Sequence, residues 1–239
     1  MNCKGAIALW LLLITGTVTA LSYNYHKAFG NNWNIALQCV NANHAEWSKT
    51  LREMGITDVR LAEAIVFPEL IRYSRWRNEI EKTAVTGLYV TGCKEKGNYS
   101  IGLFQMRPSF AEDVEREWNG SPLAQEYGFS FDVSDNMSAR RSRVMRLSTN
   151  EGQCRYLAMF IRLQLLRHPQ LLKMSRKERL CYLATAYNRS HTASWNSIMR
   201  MQKQRSFHTD IIRTKSTRMY RYCDISAEFL RKNPKSSKN

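Results

Sequence analysis

The sequence predicts a mainly α fold of the α+β type: a helical domain with one small β-hairpin beside a groove. Three observations lead there. Apolar residues recur every three or four positions through most segments after residue 34, the spacing of helix faces rather than strands. Hydrophobic residues form 44% of the 239 and aromatics 11%, enough for a real core in one domain of moderate size. Only around Leu88–Thr91 and Asn98–Ile101, on either side of a charged loop with Gly92 and Gly97, does the texture suit a hairpin.

The first segment sets the compartment. Lys4 gives a positive start, Ala6 to Ile14 is almost wholly apolar, and Val18, Thr19 and Ala20 suit cleavage, so residues 1–20 read as a secretory signal peptide. The apolar run is shorter than the roughly 20 residues of a spanning helix, and an uncleaved anchor is the other reading. Cys3 precedes that run, which argues against a lipoprotein. The expected location is therefore periplasmic or cell-envelope. A net charge of +16, from 36 basic and 20 acidic residues, implies polyanionic partners. Export removes nucleic acid from those and leaves anionic lipid or an acidic cell-wall polymer, with membrane or envelope machinery as further partners. Oligomeric state is not legible.

Leu21 to Asn32 lacks a period and predicts a surface tether or strand. Asn34 to Met54 predicts one or two helices with Trp33, Leu37, Val40 and Trp47 toward the core, stopped by Gly55. Residues 21–57 thus form a helical extension packed on a domain spanning 58–231. Thr57 or Asp58 caps the next helix. In it Leu61, Ile65 and Glu69 lie four apart, with Val66, Leu70 and Tyr73 on a neighbouring row, so the Glu69 carboxyl faces the buried side. Pro68 lacks an N–H and crowds Ala64, which predicts a kink or restart at Phe67 and Pro68. After a restart, Glu69 would merely cap a first turn.

Beyond the hairpin, Ser109 and Glu112 suggest a capping box for a helix to about Trp118, ended by Asn119 and Gly120. Ser121 to Thr149 is the least regular stretch. Its run Arg140, Arg141, Arg143 and Arg146 reads as a solvated face, or as a groove lining that attracts carboxylates. Leu157, Phe160, Ile161 and Leu165 mark a core helix over Asn150–Arg167, terminated by His168 and Pro169. Ser175 and Glu178 repeat the capping-box pattern and open a helix through Tyr187. His191 reads as a surface histidine and Trp195 as core, although both could border the groove. Ser194 to Lys232 predicts two helices, and residues 232–239 a basic disordered tail. Cys39, Cys93, Cys154, Cys181 and Cys223 remain after signal removal, an odd number allowing up to two bridges; Cys154 and Cys181 read as small buried thiols. With no Cys-x-x-Cys and no ligand-spaced histidines, neither a metal nor a cofactor is expected.

Burial raises the pKa of a carboxyl, so Glu69 can hold a proton near neutral pH and act as a general acid. Gly102 has no side chain and lets a polymer approach the backbone; the Gln105 amide can bond an N-acetyl or hydroxyl group. The plainer alternative is that Gly102 turns the chain and Gln105 caps it.

Ser100, Ile101, Gly102, Leu103, Phe104, Gln105, Met106, Arg107 and Pro108 resemble the G-L-M-Q-x-x-P signature of lytic transglycosylases of the SLT type, with Phe104 for the usual methionine. Ala184, Thr185, Ala186, Tyr187 and Asn188 resemble that family's A-x-A-Y-N motif, and Glu69 stands upstream like its catalytic glutamate. The resemblance covers about Val59 to Ser190. Leu70 replaces the usual serine after the glutamate, and the loop to Gly102 is longer, marks of a divergent member. The resemblance implies a lysozyme-like domain that cleaves the MurNAc–GlcNAc β-1,4 bond of peptidoglycan with formation of 1,6-anhydro ends. It assigns catalysis to Glu69 and glycan binding to Ser100, Gly102, Gln105, Tyr187 and Asn188. Two alternatives stand beside it: a lysozyme-type hydrolase, with Glu95, Glu112 or Asp113 as second carboxylate, and a noncatalytic wall-binding or assembly protein.

Overall fold

The structure, a computed structural model, describes residues 23–76, 87–92, 97–210 and 213–233. The signal segment, Cys93, Glu95, Ile211 and the tail from residue 234 lie outside these. The described residues are mainly helical, with no sheet and two isolated antiparallel bridges, Ile101 with Met106 and Phe207 with Tyr220.

Residues 23–32, the described part of the segment expected as a tether or strand, are neither. Asn24 accepts a hydrogen bond from the Lys27 amide and caps a short helix α1 (Tyr25–Phe29), which buries Tyr25 and Phe29. Helix α2 (Asn31–Glu53) is one continuous element whose buried Trp33, Val40, Trp47 and Leu51 join the main core. Gly55, at φ +77°, turns the chain after it. Asp58 Oδ1 then accepts from the Leu61 amide at 3.1 Å and starts α3 (Val59–Trp76).

Helix α3 is the centre of the molecule. Leu61, Ala62, Ala64, Ile65, Val66, Phe67, Leu70 and Ile71 are all buried, so apolar residues surround its axis rather than forming one stripe. It packs against α2, α7 (Asn150–Arg167), α8 (Arg176–Arg189) and α10 (Tyr222–Lys232). The helix runs through Pro68 without a restart, which places Glu69 in its interior and removes the capping role. Proline inside a helix costs about 3 kcal/mol. Burial on all sides offsets that cost, and Tyr222 Oη donates to the Ile65 carbonyl at 2.9 Å in the turn that Pro68 deprives of an N–H.

The hairpin does not form where expected. Leu88 to Val90 belong to a helical turn, with the Thr91 amide donating to Gly87 O at 3.0 Å. That turn buries Tyr89 and lets its hydroxyl donate to Glu112 Oε1 at 2.7 Å. Glu112 is thereby taken from the expected capping box. Pro108 instead opens α4 (Pro108–Asn119) as its first residue, where no N–H is needed, and Ser109 N donates to Asn98 Oδ1. Two further helices, α5 (Pro122–Tyr127) and α6 (Met137–Leu147), occupy the stretch that lacked a readable pattern.

The arginine run divides: Arg141 is exposed as expected and Arg146 partly so, the other two are not, and none of the four lines the cavity described below. Arg143 is buried and Arg140 nearly so. Arg143 grips Glu115 of α4 through Nε at 2.8 Å and Nη2 at 2.6 Å, and Arg146 reaches the other oxygen at 2.7 Å. Helix α7 keeps the expected bounds, and α8 keeps the reciprocal Ser175–Glu178 cap but runs past Tyr187 to Arg189. Helix α9 (Trp195–Met201) and α10 complete the chain, and Trp195 stacks on Tyr182 with centroids 4.5 Å apart.

Candidate active site

Glu69, Ser100, Gln105, Tyr187 and Asn188 line one cavity of about 440 Å³, together with Arg72, Arg107, Asp113 and His191. Residues from α3, the loop before α4, α4 itself and the end of α8 meet there although they are separated by more than a hundred positions. Gly102 is the exception among the candidates. It does not line the cavity.

The loop from Ile101 to Met106 is closed by reciprocal backbone bonds of 2.8 and 3.1 Å between those two residues. Four residues must reverse the chain, and Gly102 (φ +69°) and Gln105 (φ +51°) both take left-handed conformations. A Cβ on Gly102 would stand 1.6 Å from Gln153 Nε2, so glycine is required for the Gln153 side chain to pass rather than for a ligand. Gln153, buried in α7, accepts from the Phe104 amide at 2.7 Å and donates to Leu147 O at 2.8 Å. Phe104 is a core anchor: its ring meets Trp47 edge to face at 4.9 Å. Tyr187 Oη donates to the Phe104 carbonyl at 2.7 Å. Both polar groups of the Phe104 backbone are therefore held, and the loop is fixed from two helices. Gln105 Nε2 donates to Gly102 O at 2.8 Å, which leaves its second N–H and its Oε1 for other partners.

Glu69 is buried, only 4% exposed, yet it lines the cavity. Arg72 Nη1 donates to its Oε2 at 2.9 Å, and the same guanidinium is anchored by two bonds to His208 O and lies over the Phe207 ring. Burial pushes the carboxyl above the ordinary glutamate range. The charges of Arg72 and Arg107, and a hydrogen bond from Tyr222, pull the other way without reversing it. Tyr222 shares its single proton, because the hydroxyl also donates to Ile65 O. Burial and the nearby Glu69 charge push Tyr187 and Tyr222 well above the ordinary phenol range, so both stay neutral donors.

No family model matches this chain, and it matches no curated protein and no solved structure. The chemistry must therefore be read from the cavity itself.

His191 is a wall of the cavity rather than a surface residue. Its ring stands edge-on to Phe110 at 4.9 Å, and its carbonyl accepts from Gln164 at 2.8 Å and Arg167 at 2.6 Å, which ties the segment after α8 to α7. Burial lowers the imidazole pKa to about 4, so it is uncharged near neutrality. Of the second carboxylates, Glu112 is engaged by Tyr89 and Arg143 and does not line the cavity. Asp113 does line it. Arg72 and Tyr222 belong to the site although no sequence motif points to either. The one available signal was the Glu69–Arg72 spacing of three, which places both on one helical face.

The cavity sets a sheltered carboxyl, whose proton affinity burial raises, beside a glutamine amide and arginine charge, with two neutral phenols nearby. It can protonate an oxygen leaving group and take a proton back without a metal ligand set.

Proposed function

We infer that the chain is a peptidoglycan lytic transglycosylase on a lysozyme-like domain. The observation that carries this is the raised Glu69 carboxyl opening on the cavity that Gln105, Ser100, Tyr187 and Asn188 share. Protonated Glu69 donates to the glycosidic oxygen between MurNAc and GlcNAc. The carboxylate left behind then accepts the proton of the C6 hydroxyl of the same MurNAc, whose oxygen closes on C1 to give the 1,6-anhydro ring. No water enters. Gln105 offers its free N–H and Oε1 to the N-acetyl group. Tyr187 supports the site by holding Phe104 O, so its role is to position the loop rather than to bond sugar with its proton. Arg107 and Arg189 add positive charge to the lining, suited to stem-peptide carboxylates.

Asp113 in the lining favours a second reading, a hydrolase with two carboxyl groups that adds water at the same bond. Digestion of purified sacculi by the wild type, followed by mass spectrometry, separates the two: anhydro ends are one water lighter than reducing ends. Glu69→Gln is expected to lower release of either product by about 10²–10⁴-fold while sacculus binding persists. Reducing ends would replace the anhydro reading by hydrolysis. Binding without any cleavage by the wild type would reject both and leave a wall-binding protein.

A further inference from the structure

The resemblance ends near Ser190, yet the arginine bonded to Glu69 is held by residues beyond it. Arg72 Nη1 donates to Glu69 Oε2 at 2.9 Å, while Nε and Nη2 both donate to the His208 carbonyl at 3.1 and 3.0 Å. The guanidinium carbon stands 4.3 Å from the centroid of the Phe207 ring. Phe207 is itself buried, exchanges backbone bonds of 3.1 and 2.7 Å with Tyr220, and meets the Tyr222 ring edge to face at 4.9 Å. Three nitrogens and the face of the guanidinium are thus engaged, so the fork has one orientation. Arg72 also lines the cavity. A donor on one carboxyl oxygen decides where a proton can sit. The N–H of Arg72 needs an acceptor, so in protonated Glu69 the oxygen Oε2 is the carbonyl and the proton is on Oε1.

We propose that Arg72, held by Phe207 and His208, is a positioning residue that fixes Oε2 of Glu69 and leaves Oε1 as the oxygen that exchanges its proton with a ligand in the cavity. The proposal rests on the glycan-cutting reading only for the identity of that ligand. In the exchange the O–H bond at Oε1 breaks, its electron pair stays on the carboxylate, and the proton goes to an oxygen of the ligand. The bond from Arg72 becomes charge-assisted as this happens, so it is stronger after the transfer than before it. Arg107 of the loop before α4, Tyr187 of α8 and Tyr222 of α10 also face the carboxyl, and of these only Arg107 is charged. A lysine in place of Arg72 would keep the charge. It lacks the planar fork that reaches Oε2 and the His208 carbonyl together. The segment after α9 therefore belongs to the acid's setting rather than to a separate appendage.

The test is difference infrared spectroscopy of the full chain against pH, each protein minus its own Glu69→Gln counterpart, which isolates the carbonyl stretch of protonated Glu69. Arg72→Met loses the charge and the donors but keeps a long side chain beside Phe207. Its band should move to higher frequency, because Oε2 no longer accepts an N–H, and should persist to a pH higher by about one unit or more. Arg72→Lys should leave the pH of disappearance near that of the wild type and lower kcat for sacculus cleavage by about 10²-fold, with KM little changed. A merely structural arginine would lower the melting temperature without moving the band. An unmoved band in Arg72→Met, or an Arg72→Lys protein that cleaves like the wild type, would overturn the proposal. Should Arg72→Met fail to fold, Arg72→Lys decides alone. A wild type that cleaves no glycan while the band responds as expected would reject the glycan reading and leave the positioning of Glu69 by Arg72 standing.

Discussion

Glu69 and Glu115 are both buried glutamates of the helical core, and their surroundings are opposite. Glu115 meets four donors from three side chains: two nitrogens of Arg143, one of Arg146 and the hydroxyl of Tyr156. Among the described residues, Glu69 meets the Arg72 guanidinium and a phenol whose proton it shares with a carbonyl. The desolvation cost of Glu69 is therefore only partly compensated, and the acid is pushed toward its neutral form. Glu63 lies between the two cases, with His44 Nδ1 at 2.5 Å and Arg60 Nη1 at 2.9 Å, and burial still raises it. The number of donors aimed at a buried carboxyl separates an internal counter-ion from a proton carrier. Of the three, Glu69 lines the cavity shared with Gln105 and Tyr187.

The widest break between them should come from removing charge at each in turn. Glu115→Gln leaves two arginines facing a neutral amide, and breaking a buried pair of this kind costs about 3–5 kcal/mol. At about 2–4 °C per kcal/mol for a chain of this size, the melting temperature should fall by about 10 °C. Glu69→Gln should leave it unchanged or higher near neutral pH while wall cleavage is lost. Equal melting shifts for the two variants, measured by calorimetry, would erase the distinction.

The same contrast shows what the sequence made legible. Elements whose signals are local were readable: His168 and Pro169 end α7, and Ser175 with Glu178 caps α8. The shared cavity of residues 69, 105 and 187 was reachable because two short motifs and one acid were taken together. What failed depended on distant partners. Arg143 and Arg146 look solvated until Glu115, about thirty residues upstream, is placed opposite them on α4. Gly102 looks like an opening for ligand until Gln153 fills the space. Pro68 looks like a break because a proline's penalty is local, whereas the burial that overrides it comes from four other helices.

A pH series sharpens the comparison further. Glu69 has a folded pKa above the value of about 4.5 that it takes when exposed. Below that value both folded and unfolded chains are protonated there. As pH rises, the unfolded chain ionises first while folded Glu69 keeps its proton, so its contribution to stability falls through the window from the ordinary glutamate value up to the raised one. The melting temperature of Glu69→Gln minus that of wild type should therefore grow with pH across that window. Glu63 contributes with the same sign but is present in both proteins and cancels. A difference that stays flat or shrinks would mean that Arg72 compensates Glu69 as fully as two arginines compensate Glu115.

The smallest effect tests whether Tyr222 belongs to the site or only to the core. Tyr222→Phe keeps the ring and removes a hydroxyl that donates to Ile65 O and supports the Glu69 carboxylate. Losing the bond to the carbonyl should cost about 1 kcal/mol of stability, a drop of about 2–4 °C. A purely structural hydroxyl would do no more. Because Tyr222 favours the ionised form of Glu69, its removal should also raise that pKa, which moves the alkaline limb of the pH–rate profile for wall cleavage to higher pH. Tyr187→Phe lacks that direct bond and should loosen the Phe104 loop instead, lowering the rate with little movement of the limb. If the two variants shift the limb alike, Tyr222 has no special hold on the acid, and its hydroxyl serves the turn at Pro68 alone.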